Sequence, residues 1–291
     1  MTIAPRNAAW SSGLSTNDFA ACLSSGLQPL GFVQGCSVVN WSFYGIGYNA
    51  MGFGLGGSRP SGYFEQYLCP HGIVSAEHRR YGMNYQKSWI EESYLSALRS
   101  ATERLLHEAR KLGAHGVIGV IDRPSYHSET SSFEISLSGT AVTIEGAVAP
   151  AVPFTTFLAG QKLNKLVEAG FAPVEILIGI ASIGVMASCI TEYQLTGGGF
   201  SLAAGGGWGA APGGEIEQVV EAQTAARSIV RQRVRDQLGG DILHGASLMV
   251  RSNETQEGPQ IEATLRGNRV RHFKEFTQID PPSPVVHLSD R

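Results

Sequence analysis

The chain has 291 residues, 43% of them hydrophobic and 16% charged, and its net charge at pH 7 is −3. This apolar content is sufficient for a buried core and excludes a wholly disordered chain. The slightly acidic balance lacks the basic patch of nucleic-acid-binding proteins, so we expect no nucleic-acid partner. The longest apolar run, 176–190, is interrupted by glycines and serines, which favours a buried strand over a membrane span.

The cysteines stand at positions 22, 36, 69 and 189 and show no paired spacing. Unpaired cysteines are typical of reduced thiols in a cytoplasm. The N-terminus lacks a charged segment followed by an apolar stretch, so no export signal is predicted. We expect a soluble, cytoplasmic protein of bacterial type.

The chain repeats itself. Three pairs of segments align at offsets of 144, 126 and 128 residues: 14–35 with 158–179, 112–115 with 238–241, and 138–142 with 266–270. The offset shrinks because the first copy carries more sequence between its opening strand and its long helix. Two copies of one unit are the simplest interpretation.

The first copy predicts a short helix, a strand, a long helix and two strands. In the long helix, apolar residues recur every three or four positions, and Gly113 supplies the stop. Residue 16 or 17 is the expected N-cap of the short helix. The predicted elements are a helix at 17–25, a strand at 30–41, a helix at 88–112, and strands at 116–121 and 133–144.

The second copy predicts the same order of elements. These are a helix at 161–169, a strand at 174–188, a helix at 215–238, and strands at 242–251 and 260–273. The expected fold class is therefore α+β, with two tandem β-α-β-β domains. The predicted divisions are a tail at 1–13, domain 1 at 14–149, a linker at 150–157, domain 2 at 158–276 and a Pro-rich tail at 277–291.

Three stretches of the first copy resemble the YbjQ family. They are Gly31-Phe32-Val33-Gln34-Gly35, the helix end and strand at 108–120, and the strand at 135–142. The resemblance extends over 14–145 and is weaker over 158–273. It implies a dodecin-like β-α-β-β unit that forms rings of five, in a family labelled heavy-metal-binding. Two units per chain then imply a homopentamer of ten domains, most simply two stacked rings of five, or else a decamer.

The densest group of soft metal ligands is Cys69, His71 and His78. A thiolate and two imidazoles would suit zinc or another soft heavy metal. No second cysteine pair completes a tetrahedral site, so the preferred interpretation is a surface loop, with no cofactor. Cys36 aligns with Ile180, which favours core packing for this thiol.

No pattern of catalytic residues points to an enzyme. No serine stands in a Gly-x-Ser-x-Gly turn, and about 30 residues separate the glycines at 52–57 from the long helix, where a phosphate cradle needs a helix directly behind it. Glu91 and Glu92 fall in the first turn of that helix, where the helix dipole favours carboxylates. We therefore expect a protein without enzymatic activity.

Two glycine-rich insertions carry aromatic side chains that a hydrophobic core would not hold there. One, at 44–57, contains Tyr44, Tyr48 and Phe53, and the other, at 197–214, contains Phe200 and Trp208. Apolar groups on such segments are typical of contact surfaces, although they could also be loop tips in solvent. The first hypothesis is an assembly protein, the alternative a metal-binding or metal-sensing protein, and the third an enzyme.

Overall fold

The computed structural model describes residues 11–40, 67–68, 74–75, 82–127, 130, 132–187, 191, 216–255 and 258–274. These residues form a mixed α+β structure with four helices and two four-stranded sheets, plus one short strand pair. The helices are α1 Thr16–Ser24, α2 Ser88–Lys111, α3 Gly160–Glu168 and α4 Glu217–Leu238. The strands are β1 Leu27–Asn40, β2 Tyr67–Leu68, β3 Val74–Ser75, β4 Met83–Gln86, β5 Gly116–His127, β6 Ser132–Ile144, β7 Phe154–Thr155, β8 Phe171–Met186, β9 Ile242–Thr255 and β10 Gly258–His272.

The two large sheets share one strand order. We call α1 to β6 the first half and α3 to β10 the second half. Strands β1-β6-β5 of the first half and β8-β10-β9 of the second run in the same spatial order. Each sheet also receives one short strand from outside its own half, since β7 pairs with β5 and β4 pairs with β8.

Neither of these two short strands was predicted from the sequence. Strand β7 lies inside the segment interpreted as a linker at 150–157, and the division into domains stays a prediction. Its two residues and the four of β4 are too short to show an apolar period. Both strands form by backbone pairing with a long strand that is distant in sequence. A local sequence pattern cannot indicate such a pairing.

Short helices open both halves and end at equivalent glycines. Helix α1 begins at Thr16 because the Ser15 hydroxyl accepts a hydrogen bond from the Asp18 amide at 3.2 Å. The predicted cap at residue 16 or 17 is therefore wrong. Gly26 and Gly170 follow α1 and α3 with φ of 76° and 87°, a left-handed conformation that glycine adopts without strain.

The long helices pack on the strands that precede them. Helix α2 buries a stripe of small residues and one leucine against β1: Ala97, Ala101, Leu105 and Ala109. Helix α4 does the same against its own sheet with Ala222, Ala226, Val230 and Val234. The close approach requires glycine, because a Cβ on Gly35 would lie 2.0 Å from the Ala101 carbonyl oxygen.

Strands β5 and β9 are longer than predicted, ending at His127 and Thr255. The predicted limits were Ile121, the last apolar residue of the first strand, and Arg251, one residue after the last apolar residue of the second, whereas backbone pairing to β6 and β10 continues beyond both. Both strands contain an irregularity at equivalent glycines, Gly119 with φ 59° and Gly245 with φ 65°. A bulge at this place interrupts the regular alternation of side chains between the two faces of the sheet. The alternation of apolar and polar residues therefore does not indicate the full length of the strand.

The halves lie side by side and share apolar clusters. Ile178 and Ile180 of β8 belong to the cluster that contains the buried stripe of α2. A separate cluster joins Cys22 of α1 to Leu163 of α3, and burial raises the pKa of the Cys22 thiol. The Asn164 amide donates to the Ala21 carbonyl oxygen at 2.9 Å across the same contact.

Candidate functional site

A buried polar network, which we call the Glu91 cluster, joins the two halves. It consists of Gln86, Lys87, Glu91, Ser182, Arg233 and Gln260. The first three come from the end of β4 and the start of α2, and the others from β8, α4 and β10. The exchanged strand β4 therefore delivers charged groups of the first half into the second.

Glu91 is the centre of this cluster and is 1% exposed. One carboxylate oxygen accepts from the Ser182 amide at 2.7 Å. The other accepts from Arg233 Nη2 at 2.5 Å and from Gln86 Nε2 at 2.6 Å. A carboxylate with three donors around it holds α2, β8 and α4 together.

The sequence prediction for Glu91 was incomplete. It assigned Glu91 and Glu92 alike to the helix dipole, but only Glu91 is buried and bonded across the halves. A usable signal was present, because Glu91 stands one turn before Leu95 on a face of α2 that carries apolar residues. A carboxylate in that position is expected to have a partner from elsewhere in the chain.

Lys87 brings a second buried charged side chain to the same place, at 4% exposure. Its amide donates to the Ser182 carbonyl oxygen at 2.8 Å, and its Nζ donates to Gln260 Oε1 at 3.1 Å. The ammonium also lies 5.8 Å from the centre of the Tyr85 ring. Because buried charges are stable only when they are paired, the Glu91 cluster fixes the arrangement of the two halves.

A second ion pair between the halves lies near the middle of β10. Arg266 Nη1 donates to Asp122 Oδ1 of β5 at 2.8 Å. Tyr94 of α2 is buried nearby, and burial, with a smaller effect of the Asp122 charge, raises its pKa to about 12. Tyr94 is therefore neutral at physiological pH and packs edge-on against Phe133 with ring centres 6.1 Å apart.

A third group of charges lies at the start of β9. Asp241 Oδ2 accepts from Arg269 Nε at 2.6 Å and from Arg271 Nη2 at 3.0 Å. Hydrogen bonds from Arg271 and then Arg269 hold the pKa of Asp241 below its usual range. Arg269 also reaches Glu175 of β8 at 2.9 Å, which ties the three strands of the second half together.

An open pocket of about 500 Å³ lies where β1 meets α2. We call it the Cys36 pocket, and its lining residues are Gln34, Gly35, Cys36, Arg104, His107, Glu108 and Lys111. Arg104 Nη1 donates to the Cys36 carbonyl oxygen, and Glu108 Oε2 accepts from the Gln34 amide at 2.8 Å. The Cys36 thiol is 3.9 Å from Glu134 Oε1.

The prediction of core packing for Cys36 is wrong. Cys36 is only half-buried and lines the pocket, on the opposite face of β1 from Val33, which is 2% exposed. Its aligned residue Ile180 is 4% exposed, because the first half covers that face of β8. The two aligned positions differ because only the one on β8 is covered by the other half of the chain.

Among the residues that the structure describes, no group of three His, Cys, Asp or Glu side chains could hold a metal ion. His115 is satisfied structurally, since its Nδ1 accepts from the Ile144 amide at 3.1 Å. The predicted metal ligands Cys69, His71 and His78 lie outside the described residues. So do the predicted assembly contacts, namely Tyr44, Tyr48, Phe53, Phe200 and Trp208, and both groups remain predictions.

Comparison with known families gives one match. Residues 85–145 match the YbjQ family, described as "Putative heavy-metal-binding". The match spans the end of β4, α2, β5 and β6, which is narrower than the resemblance over 14–145. No curated protein matches the chain. None of the helices described has both the length and the apolar character needed to cross a membrane.

Proposed function

We propose that the protein is a non-enzymatic, ring-forming assembly protein built from two divergent YbjQ-like units in each chain. The observation that carries this proposal is the covering of strand edges. Within the chain, β7 covers the edge of β5 and β4 covers the edge of β8. The equivalent edges, β9 in the second half and β1 in the first, have no neighbouring strand in the described part of the chain. Open strand edges favour pairing with another chain.

The faces next to these edges support the same proposal. Ile178 on the outer face of β8 is 4% exposed because the first half covers it. On the outer face of β1, Phe32 is 44% exposed and Val38 60%. A second chain placed on β1, as the first half is placed on β8, would bury this apolar surface.

A contact of this kind is head-to-tail, because different surfaces of each half meet. Repeated head-to-tail contacts close into rings or continue as filaments. Since the two halves already touch side by side, we favour a ring in which each chain fills two consecutive positions. Five chains would then form one ring of ten positions, rather than two stacked rings of five; a decamer of chains is the further alternative.

The oligomeric state tests this proposal directly. We expect sedimentation velocity at micromolar concentration to give one closed species of several chains, with a size that does not grow with protein concentration. The physical reason is that closure leaves no free edge for further addition. A stable monomer near 31 kDa would refute the proposal, and continuous growth would indicate a filament.

Tyr44, Tyr48, Phe53, Phe200 and Trp208 enter the proposal as further contacts between chains, because their segments are too rich in glycine for a core. We infer a bacterial cytoplasmic location from the cysteine pattern, and the free thiols of Cys22 and Cys36 are compatible with it.

Metal binding is the second candidate function, and the description of the matching family favours it. It is tested by replacing Cys69, His71 and His78 together with serine or alanine. We expect the free energy of unfolding to stay within about 1 kcal/mol of the unmodified protein, because the three residues lack a completing thiol pair. Elemental analysis of the purified protein and of the triple variant measures how much metal each one binds. Stoichiometric zinc, lost together with several kcal/mol of stability in the variant, would favour the metal-binding function.

A further inference from the structure

The buried faces of the two long helices correspond residue by residue. A Cβ added at Gly35 would meet the Ala101 carbonyl oxygen at 2.0 Å. A Cβ added at Gly179, which aligns with Gly35, would meet the Val230 carbonyl oxygen at 3.4 Å. The two contacts equate Ala101 with Val230, an offset of 129 residues between the helices.

Two arginines correspond at this offset and repeat one contact. Arg233 of α4 donates from Nη1 to the Ile180 carbonyl oxygen at 2.7 Å. Arg104 of α2 donates from Nη1 to the carbonyl oxygen of Cys36, which aligns with Ile180. In each half, the long helix therefore places a guanidinium at the edge of the long strand on which it packs.

In the second half this guanidinium holds a carboxylate. Arg233 donates from Nη2 to Glu91 Oε2 at 2.5 Å, and the Ser182 amide donates to Glu91 Oε1 at 2.7 Å. Each carboxylate oxygen thus has its own donor, one from the long helix and one from the strand edge. Hydrogen bonds in which both partners are charged are among the strong ones in proteins.

The first half has the same two donors without the carboxylate. Val38 aligns with Ser182. The Gln34 amide faces the open edge of β1, because it donates to Glu108 at 2.8 Å. Backbone groups an even number of residues apart in a strand point the same way, so the Val38 amide faces that edge too. In the described part of the chain, no carboxylate accepts from Arg104 or from the Val38 amide.

We propose that a small-molecule carboxylate binds at the Cys36 pocket, with one oxygen accepting from Arg104 and the other from the Val38 amide. The bound carboxylate takes the place in the first half that Glu91 takes in the second. Both donors belong to one half of one chain, so this site does not depend on the assembly proposed above.

The side chains around the pocket suit a negatively charged ligand. Three basic side chains line it, those of Arg104, His107 and Lys111. Its acidic residue, Glu108, stands four residues after Arg104 on α2, but its Oε2 accepts from the Gln34 amide. The second terminal nitrogen of Arg104 therefore remains for a carboxylate from outside the half.

The size of the pocket favours a small molecule as the source of that carboxylate. Its volume of about 500 Å³ lies within the range of small-ligand sites, about 300–1,000 Å³. The lining side chains of α2 are exposed, so salt screens their charges. We therefore expect weak binding, with a dissociation constant of about 1 mM at low salt that rises with ionic strength.

Isothermal titration calorimetry with succinate tests the site. Succinate should bind the unmodified protein saturably, whereas succinamide, its uncharged analogue, should not. Arg104→Gln should weaken succinate binding at least about tenfold, because the charged donor is lost. Arg99→Gln is the matched control, since Arg99 is an exposed arginine of the same helix outside the pocket, and it should bind as the unmodified protein does.

Two further variants separate a built site from attraction by charge alone. Arg104→Lys keeps the charge but loses the planar fork that can hold a backbone oxygen and a carboxylate together, so its affinity should also fall. Val38→Pro removes the amide donor at a strand edge, where proline is tolerated. It should weaken binding about tenfold, whereas Val38→Ala, which keeps the amide, should not. Circular dichroism checks that each variant is folded.

Each outcome bears on the site and not on the assembly, which sedimentation velocity measures separately. Absence of saturable succinate binding at low salt would refute the site. Undiminished binding by folded Arg104→Gln or Val38→Pro would place succinate elsewhere on the protein, and Arg104→Lys binding as tightly as the unmodified protein would overturn the paired arrangement. A monomeric protein that binds succinate as described would refute the assembly and leave the site intact.

Discussion

Replacing Glu91 with alanine should lower the free energy of unfolding by about 3–5 kcal/mol, the usual cost of removing one partner from a buried ion pair. The substitution leaves Arg233 without its carboxylate and the Ser182 amide without its acceptor. It also removes the contact that holds the start of α2 against β8. Urea unfolding monitored by circular dichroism measures the change.

Glu92→Ala is the matched control for this experiment. Glu92 lies in the same helical turn and carries the same charge, but it is exposed. We expect its loss to change stability by no more than about 0.5 kcal/mol. Glu91→Gln retains the shape of the side chain and should give a loss between the two. Equal effects of Glu91→Ala and Glu92→Ala would show that the Glu91 cluster does not fix the halves.

Replacing Gly35 with alanine should destabilise the protein by about 3 kcal/mol or more, at the upper end of the range for overpacked cores. The added Cβ would lie 2.0 Å from the Ala101 carbonyl oxygen and 2.5 Å from the Leu105 amide nitrogen. Both contacts are with helix backbone, which cannot move aside as a flexible side chain can. Thermal and urea unfolding should both show the loss.

Two other glycines make this prediction a graded series. The atom nearest to a Cβ added at Gly179 would be Val234 Cγ2 at 2.8 Å. Gly179→Ala should therefore lower the free energy of unfolding by about 1–2 kcal/mol. At Gly31, on the same strand as Gly35, the nearest atom would be Leu112 Cδ1 at an ordinary 3.5 Å. Gly31→Ala should therefore be nearly neutral. A Gly31 variant as unstable as the Gly35 variant would contradict the explanation by close approach to α2.

The long elements of the fold were predictable from the sequence because their signals are local. The apolar period of α2 and its glycine stop placed that helix at 88–112, against Ser88–Lys111 observed. The α+β class is confirmed, and the element order recurs in both halves. The ends of β5 and β9 were not predictable, because pairing with a neighbouring strand extends them past the last apolar residue.

The candidate site was much less predictable. Glu91 and Arg233 are 142 residues apart in sequence, and nothing near either residue indicates the other. The Cys36 pocket arises where a strand face is left without the cover that its counterpart Ile180 receives. Sequence alignment of the two halves identifies such counterparts, but only the packing of the halves shows which of them is covered.

The exchange of β4 between the halves has a consequence for the order in which the protein is made. Lys87 and its acceptor Gln260 are 173 residues apart. A ribosome adding about 5–20 residues per second needs about 9–35 s to cover that distance. During this interval α2 can pack against β1 in the first half, while Lys87 and Glu91 lack their partners from the second half. A second half emerging from a neighbouring ribosome on the same message could meet them first, so co-translational pairing between nascent chains competes with correct folding of each one.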